Sequence, residues 1–68
     1  MPIVSISVAR GRDQEVLRRC LQQVHDAVRD SLGVPEDSIR VTLQEIDPQH
    51  WSSGGVTLSE RSNTSIDL

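Results

Sequence analysis

Two segments of the chain alternate apolar and polar residues, which is the period of a strand with one buried face. The first runs from Ile3 to Val8, where serines separate the apolar side chains. The second runs from Ile39 to Ile46, and the Asp47-Pro48 pair ends it. This period of two predicts a half-buried β-strand in each segment.

The segment between the two strands has the period of a helix instead. Its apolar residues recur at steps of three and four, which places them on one stripe of an amphipathic helix. Asp13 is positioned to cap the helix N-terminus, Gly33 suits the left-handed position after the last turn, and Pro35 prevents the helix from continuing. The stripe consists of Val16, Leu17, Cys20, Leu21, Val24, Ala27, Val28 and Leu32.

The C-terminal part of the chain carries turn signals rather than a long periodic segment. Ser52-Ser53-Gly54-Gly55 predicts a turn. Val56 to Leu58 predicts a short strand in a hairpin with residues near Trp51. The tail from Arg61 to Leu68 is polar, and we expect it to be loosely ordered.

The order strand, helix, strand predicts a βαβ unit with parallel strands. The predicted fold class is therefore α+β, a two-layer βαβ subunit with a short C-terminal hairpin. The length of 68 residues allows a single domain, residues 1–68. One helix covers only one face of such a sheet, so we expect copies of the subunit to assemble through the sheet.

Composition strengthens the expectation of assembly. Hydrophobic residues make up 35% of the chain, and a chain of this size buries only about 60% of its unfolded surface. The single cysteine, Cys20, cannot form an internal disulfide, and no Cys/His group has the spacing of a zinc site. We therefore expect no metal or other cofactor, and association of chains is the remaining source of buried surface.

Charge and hydropathy exclude several function classes. A net charge of -3 and a pI of about 5.1 argue against a general nucleic-acid binder. No apolar run approaches the roughly 18 residues of a membrane span, and the N-terminus lacks the basic and apolar regions of a signal peptide. We expect a cytoplasmic protein without a nucleic-acid or membrane partner.

All seven cationic side chains are arginines, and lysine is absent. Arginine binds carboxylates through two parallel hydrogen bonds, so this composition suits a small carboxylate ligand. A genome rich in arginine codons produces the same composition, so the observation leaves both explanations open.

Several residues at fixed separations give the chain a resemblance to a known family. We expect the initiator Met1 to be removed because proline follows it, which leaves Pro2 as the free N-terminus. The pattern resembles the 4-oxalocrotonate tautomerase family over nearly the whole length, without a gap from Pro2 to Gly55. The matching residues are Pro2-Ile3, Gly11-Arg12, Arg40, His50-Trp51 and Gly54-Gly55.

The resemblance implies a cofactor-independent isomerase, a keto–enol tautomerase of the kind used in aromatic hydrocarbon catabolism. Such an enzyme moves a proton between carbon atoms of a small unsaturated 2-hydroxy or 2-keto dicarboxylate. A proline amine in an apolar pocket lined with arginine stays neutral near pH 7 and acts as a general base. By resemblance, Pro2 is that base, and its protonated form returns the proton.

The substrate-binding residues are implied in the same way. Arg12 matches the arginine that binds the far carboxylate of the substrate. Arg40 matches the arginine, supplied by a neighbouring subunit, that binds the near carboxylate and the 2-oxygen and so stabilises the dienolate. Trp51 stands where the family usually has Phe and would keep the pocket dry, and the Ala9 amide matches a backbone donor. We interpret His25, His50 and Cys20 as structural.

The chain departs from the family at Arg10, which adds a cation where an acid is common and is a further candidate for substrate binding. Related trans-3-chloroacrylic acid dehalogenases bind the carboxylate with a pair of arginines and activate water with a glutamate. Arg10 and Arg12 lack that spacing, and Ser53 stands at the position expected for the glutamate. A dehalogenase or hydratase remains an alternative, as does a non-catalytic partner chain of a mixed hexamer. The resemblance implies a homohexamer, with a heterohexamer as the alternative.

Overall fold

The computed structural model describes residues 1–63, including the side chains of residues 1–61. The strands and helices are β1 (Ile3–Ala9), α1 (Gln14–Leu32), β2 (Arg40–Ile46), β3 (Ser52–Ser53), β4 (Val56–Thr57) and α2 (Leu58–Asn63). Single 3-10 turns precede and follow β2, at Glu36–Ser38 and Pro48–His50. No helix in this part of the chain is long and apolar enough to cross a membrane.

Strands β1 and β2 are parallel, with Ile3 opposite Arg40 at one end and Ala9 opposite Ile46 at the other. The predicted βαβ unit is therefore confirmed. Burial alternates along both strands, so one face lies under α1 and the other is open. Strand β2 begins one residue later than predicted because Ile39 ends the preceding 3-10 turn, where its N–H donates to the Glu36 carbonyl over 3.2 Å.

Helix α1 has the predicted ends. The Asp13 side chain accepts a hydrogen bond from the Glu15 N–H over 3.1 Å, and the Gly33 N–H donates to the Arg29 carbonyl over 2.9 Å. The helix packs mainly over β2. Among the described residues, only Leu17 and Ile39 are buried, and they retain 6% and 7% exposure. The isolated subunit therefore has a very small core.

The open face of the sheet is largely polar. Its exposed side chains are Ile3, Ser5, Ser7, Arg40, Thr42 and Gln44. Thr42 Oγ1 lies 3.5 Å from Ser5 Oγ across the two strands. A chain that covered this face would meet hydroxyl and amide groups more often than apolar carbon.

The predicted hairpin is confirmed, with β3 and β4 antiparallel. Gly54 and Gly55 form its two-residue turn with φ of 63° and 84°, values that glycine adopts without steric cost. Leu58, which the sequence pattern assigns to a strand, instead begins α2.

The reason is a capping box: Thr57 N–H donates to Glu60 Oε1 over 3.1 Å, and Glu60 N–H donates to Thr57 Oγ1 over 3.2 Å. Helix α2 takes up residues 61–63 of the predicted loose tail, and residues 64–68 lie outside the described residues.

The hairpin and α2 form an arm that packs mainly on itself and on the Pro48–His50 turn. The chain measures 45 × 24 × 17 Å and has a radius of gyration of 15.3 Å. A compact domain of this length would have a radius of gyration of about 11 Å. The arm therefore projects from the βαβ body rather than covering it.

Candidate active site

Pro2 and Arg40 lie side by side at one end of the sheet. The Arg40 N–H donates a hydrogen bond of 3.0 Å to the Pro2 carbonyl. The Arg40 guanidinium donates to the main-chain carbonyls of Asp37, over 2.6 Å, and Ile39, over 3.3 Å. Pro2 is half-buried, whereas Arg40 and Met1 are exposed.

Arg12 lies at the opposite end of the sheet, after the last residue of β1. Its guanidinium donates to the Ala9 carbonyl over 3.1 Å, and the Arg10 N–H donates to the Ile46 carbonyl over 2.9 Å. Gly11 between the two arginines has a φ of 127°, which side-chain-bearing residues rarely adopt. The glycine thus permits the turn that places both arginines at this end.

The main chain of Ala9 faces the free edge of β1. Residues of a strand in a parallel pair direct their N–H and C=O groups alternately toward and away from the neighbouring strand. The bonds at Pro2 and Arg10 show that the even-numbered residues of β1 face β2. The Ala9 N–H consequently points away from β2, as a donor to an external group would.

The candidate residues therefore form two groups rather than one site. Seven strand residues separate Pro2 from Arg10, and Ala9 lies about 23 Å from Pro2 at 3.3 Å per residue. An arginine side chain is far too short to span this distance. The structure brings Pro2 together with Arg40, and Ala9 with Arg10 and Arg12, but it does not bring Arg12 to Pro2 within one chain.

Trp51 leaves the sheet from the Ala9 end, because it follows β2 after the single Pro48–His50 turn. Its side chain is half-buried, and its carbonyl accepts a hydrogen bond of 2.9 Å from the Leu58 N–H. This bond ties Trp51 to the start of α2. Trp51 is therefore carried by the projecting arm and not by the βαβ body.

The three candidate arginines have no acidic partner in the described part of the chain. Among the described side chains, no carboxylate lies within 4.0 Å of the guanidinium of Arg10, Arg12 or Arg40. The bonds that Arg12 and Arg40 make to carbonyls leave further N–H donors available, since a guanidinium has five. Both ends of the sheet thus present cationic groups that no described carboxylate neutralises.

The acidic partners instead gather around Arg29, near the end of α1. Arg29 contacts Glu36 over 2.7 Å and Asp30 over 2.9 Å, and His25 Nε2 lies 3.3 Å from the same Glu36 oxygen. The hydrogen bond from Arg29, followed by that from His25, holds the pKa of Glu36 below its usual value. The hydrogen bonds that Arg29 donates to Asp30 and then to Glu36 raise the pKa of Arg29. This cluster fixes the end of α1 to the turn before β2, and His25 takes a structural position in it.

Sequence reasoning did not identify the groups that hold the candidate arginines. These are the main-chain carbonyls of Ala9, Asp37 and Ile39. No residue type signals a carbonyl acceptor, because every residue has one. Within residues 1–63, no group of three or more metal-binding side chains is clustered.

The sequence of this chain is similar to those of known proteins. The sequence profile of a family described as tautomerase enzyme matches residues 2–61. A probable tautomerase from Lactiplantibacillus plantarum is 42% identical over 60 residues, which is 88% of this chain and 94% of that protein.

Solved structures of similar proteins have the same fold as this chain. A 4-oxalocrotonate tautomerase isozyme from Methylibium petroleiphilum superposes with a TM-score of 0.88 at 28% identity, covering 93% of this chain and 98% of that one. A heterohexameric 4-oxalocrotonate tautomerase from Chloroflexus aurantiacus superposes with a TM-score of 0.83 at 28% identity, covering 88% of this chain and 97% of that one. The predicted tautomerase-like fold is confirmed.

Proposed function

This chain belongs to the tautomerase family, and from that premise we propose that it is a cofactor-independent isomerase with Pro2 as its general base. Its substrate is a small unsaturated 2-hydroxy or 2-keto acid, in which a proton moves from one carbon atom to another. Removal of Met1 frees the Pro2 amine. The neutral amine takes the proton from the substrate, and the resulting ammonium group returns it to a second carbon.

The arginines bind and polarise the substrate. Arg12 binds the carboxylate farther from the 2-oxygen, and Arg40, supplied by a neighbouring subunit, binds the nearer carboxylate together with the 2-oxygen. Negative charge grows on that oxygen as the dienolate forms, so an N–H donor placed there stabilises the transition state more than the ground state. No carboxylate of residues 1–61 lies within 4.0 Å of either guanidinium group, which supports this role.

The observation that carries the proposal is the separation of the candidate residues along β1. Pro2 lies at one end and Ala9, Arg10 and Arg12 lie at the other, while the edge of β1 is free. Antiparallel pairing of two β1 edges would place the Ala9 end of one chain beside the Pro2 end of another. The Ala9 N–H and the Arg12 guanidinium would then reach the Pro2 of the other chain. We therefore propose an oligomeric enzyme whose sites combine residues of different chains.

Complementation between two inactive variants tests the shared site. Pro2→Ala lacks the base and Arg12→Ala lacks a substrate-binding residue, so each alone should isomerise 2-hydroxymuconate poorly. After denaturation and joint refolding, some mixed sites receive an intact Pro2 from one chain and an intact Arg12 from the other. Random pairing about a two-fold axis restores about one quarter of the sites.

Two outcomes would contradict the proposal. If the wild-type protein without Met1 does not isomerise unsaturated keto acids, the assigned reaction is wrong. If wild-type protein is active but the refolded mixture stays as inactive as its components, Pro2 and Arg12 do not act across chains. A mixture of Pro2→Ala with Arg18→Ala serves as the control, because Arg18 is an exposed helix residue away from both groups.

A further inference from the structure

The turn that precedes β2 holds the guanidinium of Arg40 from one side. Arg40 Nη1 donates to the Asp37 carbonyl over 2.6 Å and to the Ile39 carbonyl over 3.3 Å. Because both bonds use Nη1, they leave the N–H groups of Nε and Nη2 to a ligand. These two groups form an edge with parallel donors, the geometry that binds both oxygens of a carboxylate.

Backbone hydrogen bonds fix the shape of this turn but not its position. The Ser38 N–H donates to the Pro35 carbonyl over 3.1 Å, and the Ile39 N–H donates to the Glu36 carbonyl over 3.2 Å. Both bonds lie within residues 35–39, so they persist if the segment shifts as a unit. Ile39 is buried and anchors the end of the turn, whereas Pro35, Glu36 and Asp37 are exposed. The start of the turn therefore needs a separate anchor.

The Glu36 side chain ties the start of the turn to helix α1. Glu36 Oε1 accepts a hydrogen bond from Arg29 Nη1 over 2.7 Å and lies 3.3 Å from His25 Nε2. Among the hydrogen bonds and ion pairs of the described side chains, only those of Glu36 join the Glu36–Ser38 turn to α1. The Glu36 side chain is 62% exposed, and ion pairs in such positions add little to the free energy of folding. The contact should therefore act on the position of the turn more than on the stability of the fold.

We propose that Glu36 is a positioning residue for Arg40. It holds the turn so that the Asp37 carbonyl fixes Nη1 and directs the Nε and Nη2 edge of the guanidinium toward the substrate. This role rests on the proposed function, in which Arg40 binds a carboxylate and the 2-oxygen. A displacement of about 1 Å can lower a rate about 100-fold, so the anchor of the turn matters for the reaction. Glu36, Asp37 and Arg40 belong to one chain, and the arrangement accompanies Arg40 into a site shared with another subunit.

A double-mutant cycle tests whether Glu36 acts through Arg40. Glu36→Ala should lower kcat/KM for 2-hydroxymuconate about ten-fold, since a displaced guanidinium loses part of its contact with the 2-oxygen. In an Arg40→Ala background, the same substitution should change kcat/KM less than about two-fold, because no guanidinium remains to be positioned. An equal loss in both backgrounds would overturn the proposal, as would wild-type activity in Glu36→Ala.

Asp30→Asn is the matched control for the charge cluster. Asp30 accepts a hydrogen bond from Arg29 Nε over 2.9 Å, and it makes no hydrogen bond or ion pair with the turn in the described part of the chain. The substitution removes one ion pair of Arg29 and leaves the contact with Glu36, so kcat/KM should stay at the wild-type value. A loss as large as that of Glu36→Ala would show that the cluster acts through the helix and would overturn the proposal.

Nitrogen-15 NMR of the arginine side chains measures the position of Arg40 without the reaction. Its hydrogen bonds to carbonyls should slow rotation of the guanidinium and give resolved Nη signals, which Arg40→Ala assigns by their loss. Glu36→Ala should shift or broaden these signals, and Asp30→Asn should not. Unchanged signals in Glu36→Ala, or none in the wild type, would overturn the proposal. A wild-type protein that gives the signals but does not isomerise unsaturated keto acids would contradict the assigned reaction instead.

Helical circular dichroism checks the folding of the variants. If Glu36→Ala loses its helix, Glu36→Gln replaces it, because the amide keeps the length of the side chain but cannot form an ion pair with Arg29. Glu36→Gln should show a smaller loss of kcat/KM that again disappears in the Arg40→Ala background, together with shifted Arg40 signals. Wild-type values of both measurements would overturn the proposal.

Discussion

The main-chain N–H of Arg40 donates a 3.0 Å hydrogen bond to the carbonyl of Pro2, so the proposed base and a proposed substrate-binding arginine begin neighbouring strands. A backbone hydrogen bond of this kind fixes the positions of the two residues along their strands, independently of their side chains. The position of Arg40 is therefore set by the register of the sheet, in which Ile3 lies opposite Arg40. Substitution of the Arg40 side chain should consequently leave this alignment intact.

We predict that Arg12→Ala and Arg40→Ala lower kcat/KM strongly and leave the unfolding temperature nearly unchanged. Both guanidinium groups are exposed and bond only to carbonyls in the described part of the chain, so little folding energy is lost. Loss of one contact that strengthens in the transition state should cost about 2–4 kcal/mol in kcat/KM. Arg18→Ala controls for the removal of an exposed arginine. Variants that unfold early but keep ordinary activity when folded would show that these arginines are structural.

We predict that the Pro2 amine is the single reactive amine of the mature protein. The sequence contains no lysine, so amine-directed reagents have one target once Met1 is removed. A halopropiolate that docks through its carboxylate should add one label per chain at Pro2, with activity lost in proportion. Peptide mass mapping locates the label, and Cys20→Ser excludes the only thiol as its site.

Protein that retains Met1 is the decisive comparison, because its Pro2 nitrogen is an amide. It should neither take the label nor isomerise the substrate. Protein without Met1 should already be close to its maximal activity at pH 7. An ordinary α-amino group loses its proton only near a pH of about 8. Full activity in the Met1-retaining chain would show that proline is not the base and that only the fold is shared.

We predict that Glu36 makes the fold more stable at neutral pH than in acid. Contacts with Arg29 and His25 hold its pKa below the usual 4.5, so the folded state favours the charged carboxylate. This stabilisation is fully present above pH 4.5 and is lost as the pH falls through the lowered pKa. Glu36→Gln should lower the unfolding temperature at pH 7 and leave it closer to the wild type at pH 3.

Asp37→Asn is the matched control for this prediction. It removes the same charge from the neighbouring position, where the side chain makes no ion pair with the described residues. Circular dichroism melts between pH 3 and pH 7 measure both variants. An equal loss of stability for Glu36→Gln at every pH would attribute the effect to packing instead of charge.

We predict that the native protein is a hexamer. The chain has only two buried residues in its described part and an arm that projects from the body, so burial of much of its apolar surface requires other chains. Six chains of 7.6 kDa give about 46 kDa. Analytical ultracentrifugation at micromolar concentration measures this mass, and a monomer of 7.6 kDa would contradict the prediction.

The sequence by itself determined the elements of the body and the types of residues available for chemistry. Alternation in Ile3–Val8 and the stripe from Val16 to Leu32 predicted β1 and α1, because burial on one face imposes these periods on a chain. Asp13 and Gly33 located the helix ends because capping needs particular residues. The resemblance carried by Pro2, Arg12 and Arg40 identified the family because these residue types stand at fixed separations along the sequence.

Only the tertiary structure decided where those residues lie relative to one another. The parallel register placed Arg40 beside Pro2 and left Ala9, whose carbonyl Arg12 contacts, about 23 Å away along β1, at 3.3 Å per residue. A strand that returns through a helix crossover sets this register by packing, which no local pattern encodes.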